Sequence, residues 1–231
     1  MASLAAPTMN NNNNNNTNPI LDSLQNVLLA ALSPDRDTQK NAEKQINETM
    51  KQEHGYGHAL IMISIDQNRP VAARHIALTV LKRYISEAWL FVLQNEKKAF
   101  HPDEKNAIKD LAVKGLGAEV EVLRTGFGMV VAEIAGFDWP DQWPTLFDQI
   151  NAYIHSGQEN YVRGAIKCLS LFSDFLDEKT LPFIGPMLFP TLGKILTERQ
   201  TFDTKLRMQA GKIVHSAVDE FLMKKDNNKA F

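Results

Sequence analysis

Several features that would narrow the function of this 231-residue chain are scarce or missing. Cys168 is the single cysteine, so no disulfide can form within the chain, and its apolar neighbours are typical of a core thiol. The formal net charge is −2, so no excess of positive charge favours nucleic-acid binding. No apolar run approaches the roughly 20 residues that span a bilayer, and the opening MASLAAPTMN lacks the basic segment of a secretory signal. We therefore expect a soluble intracellular protein without membrane insertion or direct contact with nucleic acid.

Signals for β-structure are also missing. The sequence has no convincing alternation of polar and apolar residues, and no Asn-Gly or Asp-Gly pair of the kind that closes a hairpin. Apolar residues recur instead at helical spacing, as at Leu24, Val27, Leu28 and Ala31. This pattern predicts an all-α fold.

The two ends of the chain differ from its middle. Residues 1–19 contain seven consecutive asparagines, whose side chains compete with the backbone for hydrogen bonds, and they are predicted to be a disordered tail. Residues 225–231 are predicted to be a short polar tail. Between them, residues 20–224 are predicted to form one array of helices.

A phrase that recurs along this array indicates pairs of helices. Breaks at proline and glycine give about ten helices, and the second helix of each pair carries a related phrase: TQKNAEKQI, ARHIALTVL, LRTGFGMVV, VRGAIKCLS or LRMQAGKIV. Four phrases share an arginine at one position: Arg74, Arg124, Arg163 and Arg207. The spacings from one phrase to the next fall on both sides of the period of roughly 40–47 residues in HEAT and armadillo repeats. We predict an α-solenoid of about five HEAT-type helix pairs, whose arginines bond loop carbonyls or an aspartate of the next repeat.

Two stretches fit a regular helix poorly. Gly126 and Gly128 lie inside one predicted second helix, where each costs about 1 kcal/mol relative to alanine. Pro182, Pro186 and Pro190 recur four residues apart, and proline inside a helix removes a hydrogen bond and kinks the chain. We therefore expect the first helix of the fifth pair to be bent or to begin late, near Pro190.

Several phrases, taken in order, resemble the amino-terminal domain of the importin-β family. They are NAEKQI at 41–46, RPVAARHIALTVLKRYISEAW at 69–89 and VLRTGFGMVVAEIAGFDWPDQWPTLF at 122–147. The later phrases NYVRGAIKCLSLF and LPFIGPMLFPTLGKIL extend the resemblance and are most similar to the importin-nine branch. The resemblance covers nearly all of the predicted helical array.

The resemblance implies a role in nuclear transport. Receptors of this family bind a Ran-type GTPase in its GTP state through their first repeats, cargo along the concave face and nucleoporin repeats on the convex side. It implies a protein that shuttles between cytoplasm and nucleus, with nucleoporins and basic protein cargo as partners of the full-length receptor. Because family receptors have many more repeats than five, GTPase binding is better supported for this chain than cargo transport. A generic HEAT scaffold for a protein complex and an export receptor of the same family remain alternatives.

Five residues on the second helices are candidates for contact with the GTPase. In the second pair, His75 and Lys82 point away from the apolar face of the helix, with Arg83 on its flank. Lys44 lies on the polar face of the preceding second helix, and Met129 projects from the apolar stripe of the following one. Lys82 and Arg83 occupy the place of the family's Leu-Lys-Asn stretch. For each residue, a solvated face without a partner is the alternative.

The sequence FDWPDQWPTLF is predicted to form a structural corner between the third and fourth pairs. Asp138 is expected to cap the start of a helix, and Pro140 and Pro144 suit its first turn. Trp143 is expected to begin the apolar stripe of that helix. Trp139 is expected to end the preceding helix and to pack across the corner. The corner is therefore predicted to hold the angle between repeats rather than to bind a ligand.

No pattern points to an enzyme, a cofactor or a metal. Cys168 has no histidine beside it, and the Gly-Phe-Gly at 126–128 is not followed by the Gly-Lys-Ser/Thr of a phosphate loop. His54 and His58 have a spacing that can hold zinc on a helix, but the glycines between them disfavour that helix. We expect a binding protein without a cofactor.

Overall fold

The computed structural model describes residues 18–52, 55–90, 100–172 and 181–227. Within these ranges the regular structure is helical throughout, which confirms the all-α prediction. The helices are α1 (Pro19–Ala30), α2 (Arg36–Gln52), α3 (Tyr56–Ile65), α4 (Val71–Ala88), α5 (Pro102–Gly115), α6 (Glu121–Asp138), α7 (Leu146–Ile154), α8 (Glu159–Leu171), α9 (Leu181–Thr197) and α10 (Thr204–Asn227).

The helices form five sequential pairs that stack on one another. Each odd-numbered helix packs against the helix that follows it, which defines pairs 1 to 5. The second helices α4, α6, α8 and α10 pack in succession, and so do α3 with α5 and α7 with α9. Packing between neighbouring repeats is the arrangement of an α-solenoid, as predicted. Pair 1 departs from it, because the helix of pair 1 that packs against α4 is α1 rather than α2.

One apolar cluster runs through all five pairs. It extends from Leu28 in α1 to Ala217 in α10, and its largest fully buried side chains include Trp89 and Phe127. Each helix contributes one apolar face, and a single pair cannot enclose such a face alone. The core is therefore shared between repeats.

The predicted boundaries shift slightly at both ends of the array. The side-chain oxygen of Asn18 accepts the backbone N–H of Ile20 at 3.1 Å, and Pro19 is the first residue of α1. Both lie within the predicted tail, yet asparagine is a favoured N-cap and proline suits a first helical position. At the other end α10 reaches Asn227, so residues 225–227 belong to a helix rather than to a polar tail. The asparagine run at 10–16 lies outside the described residues.

Close helix packing explains the two glycines inside α6. A Cβ atom at Gly126 would lie 2.8 Å from Leu78 Cδ1 of α4, whereas one at Gly128 would lie 3.3 Å from Leu171 Cδ1 of α8. Two residues apart on a helix is a rotation of about 200°, so the glycines face opposite neighbours. Glycine is a poor helix former, but at these two positions it lets α4 and α8 approach α6 more closely.

The prediction that the first helix of pair 5 begins late is wrong. α9 begins at Leu181 and continues through Pro186 and Pro190. Both prolines lie on the exposed side of α9, while Ile184 and Leu188 are buried on the other side. A proline cannot donate to the carbonyl four residues earlier, and here those carbonyls lie on the exposed side where water can bond them.

Gly164 of α8 tests whether close approach between repeats is required. A Cβ atom there would lie 1.9 Å from the backbone oxygen of Leu116, so the backbone itself would have to move. We expect Gly164→Ala to lower the free energy of unfolding by about 1–3 kcal/mol, the usual cost of overpacking. Urea denaturation followed by circular dichroism measures this change.

Gly193 of α9 provides the matched control, since nothing lies within 4 Å of a Cβ atom at that position. Gly193→Ala should leave stability unchanged or raise it by up to about 1 kcal/mol, because alanine favours a helix more than glycine does. Equal losses of stability in the two variants would contradict the close-packing explanation.

Candidate functional site on the second helices

The exposed side of α4 is polar and narrow. Its buried residues are Ala73, Arg74, Ala77, Leu78, Val80, Leu81, Tyr84, Ile85 and Ala88. Between them, His75, Thr79, Lys82, Arg83 and Ser86 are exposed. Because α1, α3 and α6 all pack against α4, this polar side is the part of the helix that a partner can reach.

Lys82 and Arg83 are adjacent in sequence but reach towards different helices. The Lys82 Nζ atom lies 3.2 Å from Glu133 Oε2 on α6. The Arg83 Nη2 atom donates to Asn47 Oδ1 on α2 at 2.8 Å. Consecutive helical residues differ by about 100° around the axis, so one side chain reaches the following pair and the other the preceding pair. These two contacts connect exposed residues of three helices. We call them the α2–α4–α6 strip, which consists of Lys44, Asn47, His75, Lys82, Arg83, Met129 and Glu133.

The other predicted contact residues also lie on this strip. Lys44 is one turn from Asn47 on α2, and His75 is two turns before Lys82 on α4. Met129 is 41% exposed and one turn before Glu133 on α6. The structure therefore brings all five predicted residues to one surface; their contact with a partner stays a prediction.

The cations of the strip are already paired within the chain. Lys44 Nζ lies 3.8 Å from Glu48 Oε1, and Arg83 Nε lies 4.0 Å from Glu87 Oε1, in addition to the pair between Lys82 and Glu133. Exposed ion pairs of this kind contribute roughly 0.2–1 kcal/mol each, so they can exchange partners at little cost.

Arg74 and Arg124, two of the repeated arginines, bond backbone carbonyls rather than the strip. Arg74 Nε donates to the Ser64 oxygen at 2.9 Å. Arg124 Nη1 donates to the oxygens of Ala118 and Glu119, both at 2.7 Å. Burial lowers the pKa of both guanidinium groups from its ordinary value, since desolvation disfavours the charged form. Both arginines have the structural role predicted for them.

Arg163 connects neighbouring repeats through an aspartate. It forms ion pairs with Glu159 one turn earlier and with Asp203, which directly precedes α10. The hydrogen bonds that the Arg163 guanidinium donates to Asp203 and then to Glu159 raise its pKa. In the fourth of these arginines, Arg207, the Nε atom is buried and has no hydrogen-bond partner among the described residues. Three of the four thus follow the prediction.

The prediction that Asp138 caps the start of a helix is wrong. It is the last residue of α6 rather than an N-cap, because α7 begins only at Leu146. Its buried carboxylate accepts the Trp89 Nε1–H at 2.8 Å and lies 2.6 Å from Lys109 Nζ. Lys109 also donates to the Gln142 oxygen at 3.0 Å. Asp138 therefore joins α4, α5 and the turn that leads into pair 4.

The tryptophans and prolines of the corner form a turn before α7. The Trp139–Pro140 peptide bond is cis, and Trp143 and Pro144 precede the helix instead of lying in it. Trp143 is buried, with Lys109 Nζ 5.6 Å from its ring centroid. Trp139 packs edge-on against Phe147, with 5.0 Å between ring centroids. The corner is a packed joint, although its helix starts later than predicted.

Other candidate chemistry is absent from the described residues. Cys168 is fully buried, and burial raises the pKa of its thiol, which disfavours the reactive thiolate. In the described ranges no group of three or more His, Cys, Asp or Glu side chains is placed to hold a metal ion. His54 lies outside those ranges. None of the described helices has the length and apolar character that crossing a membrane requires.

Sequence reasoning missed Lys109 and Glu133. Lys109 lies between Ile108 and Ala112 on the buried side of α5, and a lysine there needs an acidic partner, which was a usable signal. Glu133 has no comparable signal, because nothing in the sequence shows that α6 lies beside Lys82.

Known proteins are similar to this chain over the helical array described above. Residues 42–118 match the importin-beta N-terminal domain family. The chain is 28% identical to Importin-9 of Drosophila melanogaster over 199 residues. This alignment covers 84% of this chain and 19% of that protein. It is 26% identical to Exportin-2 of the same organism over 161 residues. This alignment covers 69% of this chain and 16% of that protein. The chain thus spans less than a fifth of these relatives' length.

Solved structures share the fold. A structure of Kap95p with RanGDP has a TM-score of 0.69 and 18% identity, and covers 91% of this chain and 24% of that chain. The Kap95:Nup1 complex has a TM-score of 0.72 and 17% identity, and covers 87% of this chain and 24% of that chain. At these identities the likeness shows the fold alone.

The stacked pairs of the described residues define a protein of the HEAT-type α-solenoid class. The family match and the sequence relatives narrow that class further. Residues 42–118 belong to the importin-beta N-terminal domain family, and the chain around them is similar in sequence to Importin-9 and in fold to Kap95p. The resemblance found in the sequence is therefore confirmed.

Substitution of Asp138 tests whether the buried ion pair with Lys109 stabilises the corner. Asp138→Asn keeps the shape of the side chain but leaves the buried Lys109 without a counter-charge. Breaking a buried pair in this way costs about 3–5 kcal/mol, so we expect a loss of that order in the free energy of unfolding. Chemical denaturation measures it.

Adding Lys109→Met to Asp138→Asn should recover most of the loss, because the uncompensated charge is then gone. A double variant as unstable as the sum of the two single variants would show that the pair is not coupled.

Proposed function

We propose that this chain binds a Ran-type GTPase in its GTP form, in preference to the GDP form, through the α2–α4–α6 strip. The observation that carries this proposal is the match of residues 42–118 to the importin-beta N-terminal domain. That segment contains Lys44, His75, Lys82 and Arg83, four of the residues on the strip. In the wider protein family, Kap95p is known in complex with RanGDP, which supports Ran as the class of partner.

The chemistry of the strip supports a partner with acidic groups. Lys82 and Arg83 are each 46% exposed, and their internal ion pairs are of the exposed type that exchanges readily. Met129 adds a flexible apolar side chain that adapts to different surfaces. A mixed surface of this kind suits the reversible binding that a transport cycle needs.

Import of proteins into the nucleus is the activity we propose for a receptor that carries this region. The Importin-9 relative supports import, and basic protein cargo and nucleoporins are the further partners proposed for the complete receptor. The Kap95:Nup1 complex supports a nucleoporin as one of these partners. Such a receptor shuttles between the cytoplasm and the nucleus.

Export is the second candidate, favoured by the similarity to Exportin-2. The two directions differ in the coupling between ligands: in export the GTPase strengthens cargo binding, and in import it weakens it. A scaffold without any GTPase is the third candidate.

Nucleotide preference is the first test of the proposal. The full chain, immobilised, should retain a Ran-type GTPase loaded with a non-hydrolysable GTP analogue and retain much less of the GDP-loaded form. A melting curve for the immobilised protein is the control for folding. Equal retention of both forms, or retention of neither by folded protein, would reject the proposal.

Charge reversal at Lys82 is the second test. Lys82→Glu should weaken binding of the GTP form by at least about fivefold, since an exposed pair of up to about 1 kcal/mol is lost and a repulsion is added. Isothermal titration calorimetry measures the change.

Lys82→Glu combined with Glu133→Lys is the matched control. It restores an internal pair between α4 and α6 while keeping the cation away from position 82. We expect this variant to be as stable as the native chain and still weak in binding. Full binding by the Lys82→Glu variant would show that the assigned face is wrong.

A further inference from the structure

Glu133 holds the ammonium group of Lys82 across the boundary between pair 2 and pair 3. The side chain of Glu133 is 20% exposed and that of Lys82 is 46% exposed, so the acid is set deeper than the cation. Glu133 has no second ion pair with the residues that the structure describes. Its carboxylate is therefore committed to Lys82 in the free protein.

We propose that Glu133 is an internal competitor that sets how strongly Lys82 can bind an acidic group of the GTPase. This inference rests on the proposed function. A partner carboxylate at Lys82 must either displace Glu133 or lie beside its negative charge, because the ammonium has three N–H donors but a single positive charge. Lys82 therefore contributes less to binding than an unpaired lysine does. Glu133 thereby keeps the complex reversible.

Arg83 provides an internal contrast, because its nearest partner is a neutral amide. Its Nη2 atom donates to Asn47 Oδ1 at 2.8 Å, and the nearest carboxylate, that of Glu87, lies 4.0 Å from Nε. The Glu133 carboxylate lies closer to Lys82, 3.2 Å from Nζ. A carboxylate that binds Arg83 therefore meets less competition from an internal acid than one that binds Lys82.

Glu133→Gln tests the competition directly. Glutamine retains the size of the side chain but loses the charge that holds Lys82. The affinity of the full chain for the GTP-loaded GTPase should rise roughly two- to fivefold, the range that the loss of one exposed ion pair permits. Fluorescence anisotropy with labelled GTPase measures the dissociation constant.

Two matched variants separate competition from a general change in charge. Asp110→Asn removes the same charge from the exposed surface of α5, away from the strip, and should leave the affinity unchanged. In a Lys82→Met background, Glu133→Gln should also have no effect, because the cation for which it competes is gone.

The outcomes distinguish the inference from the proposed function. A native chain that binds the GTP form but shows no gain with Glu133→Gln overturns the inference alone. A gain of the same size with Asp110→Asn, or in the Lys82→Met background, also overturns it. Failure of the folded native chain and all variants to bind overturns the proposed function and the inference with it.

Discussion

The buried contact between Asp138 and Lys109 is the constraint on which the arrangement of the repeats depends. The carboxylate also accepts the indole N–H of Trp89, and the ammonium also donates to the carbonyl of Gln142. Lys105 adds a hydrogen bond to the Trp89 oxygen at 2.5 Å. Apolar contacts between helices allow small shifts, but a buried ion pair with directed hydrogen bonds allows few. The network therefore holds pairs 2, 3 and 4 in one relative orientation.

Close contacts at glycines also fix the position of neighbouring repeats elsewhere in the stack. Gly164 brings α8 onto the carbonyl of Leu116, and Gly126 brings α6 onto Leu78. With the helices at this separation, side chains on the outer surface can bridge from one second helix to the next. The pair between Lys82 of α4 and Glu133 of α6 is such a bridge. Arg83 also reaches Asn47 of α2, although α2 packs little against α4. The candidate binding surface is thus a consequence of how tightly the repeats stack.

The sequence predicts those parts of the structure that depend on periodicity. Spacing of apolar residues predicts the five pairs, and the repeated arginine predicts contacts such as that of Arg74 with Ser64. The corner was predicted less well, since a helix could start at either Pro140 or Pro144, and packing of the turn delays it to Leu146. The late start expected for α9 is wrong because Pro186 and Pro190 lie on its exposed side, while Ile184 and Leu188 are buried on the other side. For Glu133, only the three-dimensional stack relates it to Lys82.

An amino-terminal region of a longer solenoid can carry a binding surface of its own for a physical reason. In a stacked array each repeat contacts only its neighbours, so the geometry of a surface depends on the repeats that form it and on those packed against them. The α2–α4–α6 strip lies on pairs 1 to 3, and the network at Asp138 joins pair 3 to pair 4. Both lie within the described residues. The geometry of the strip therefore depends on pairs 1 to 4 and not on repeats that lie further away.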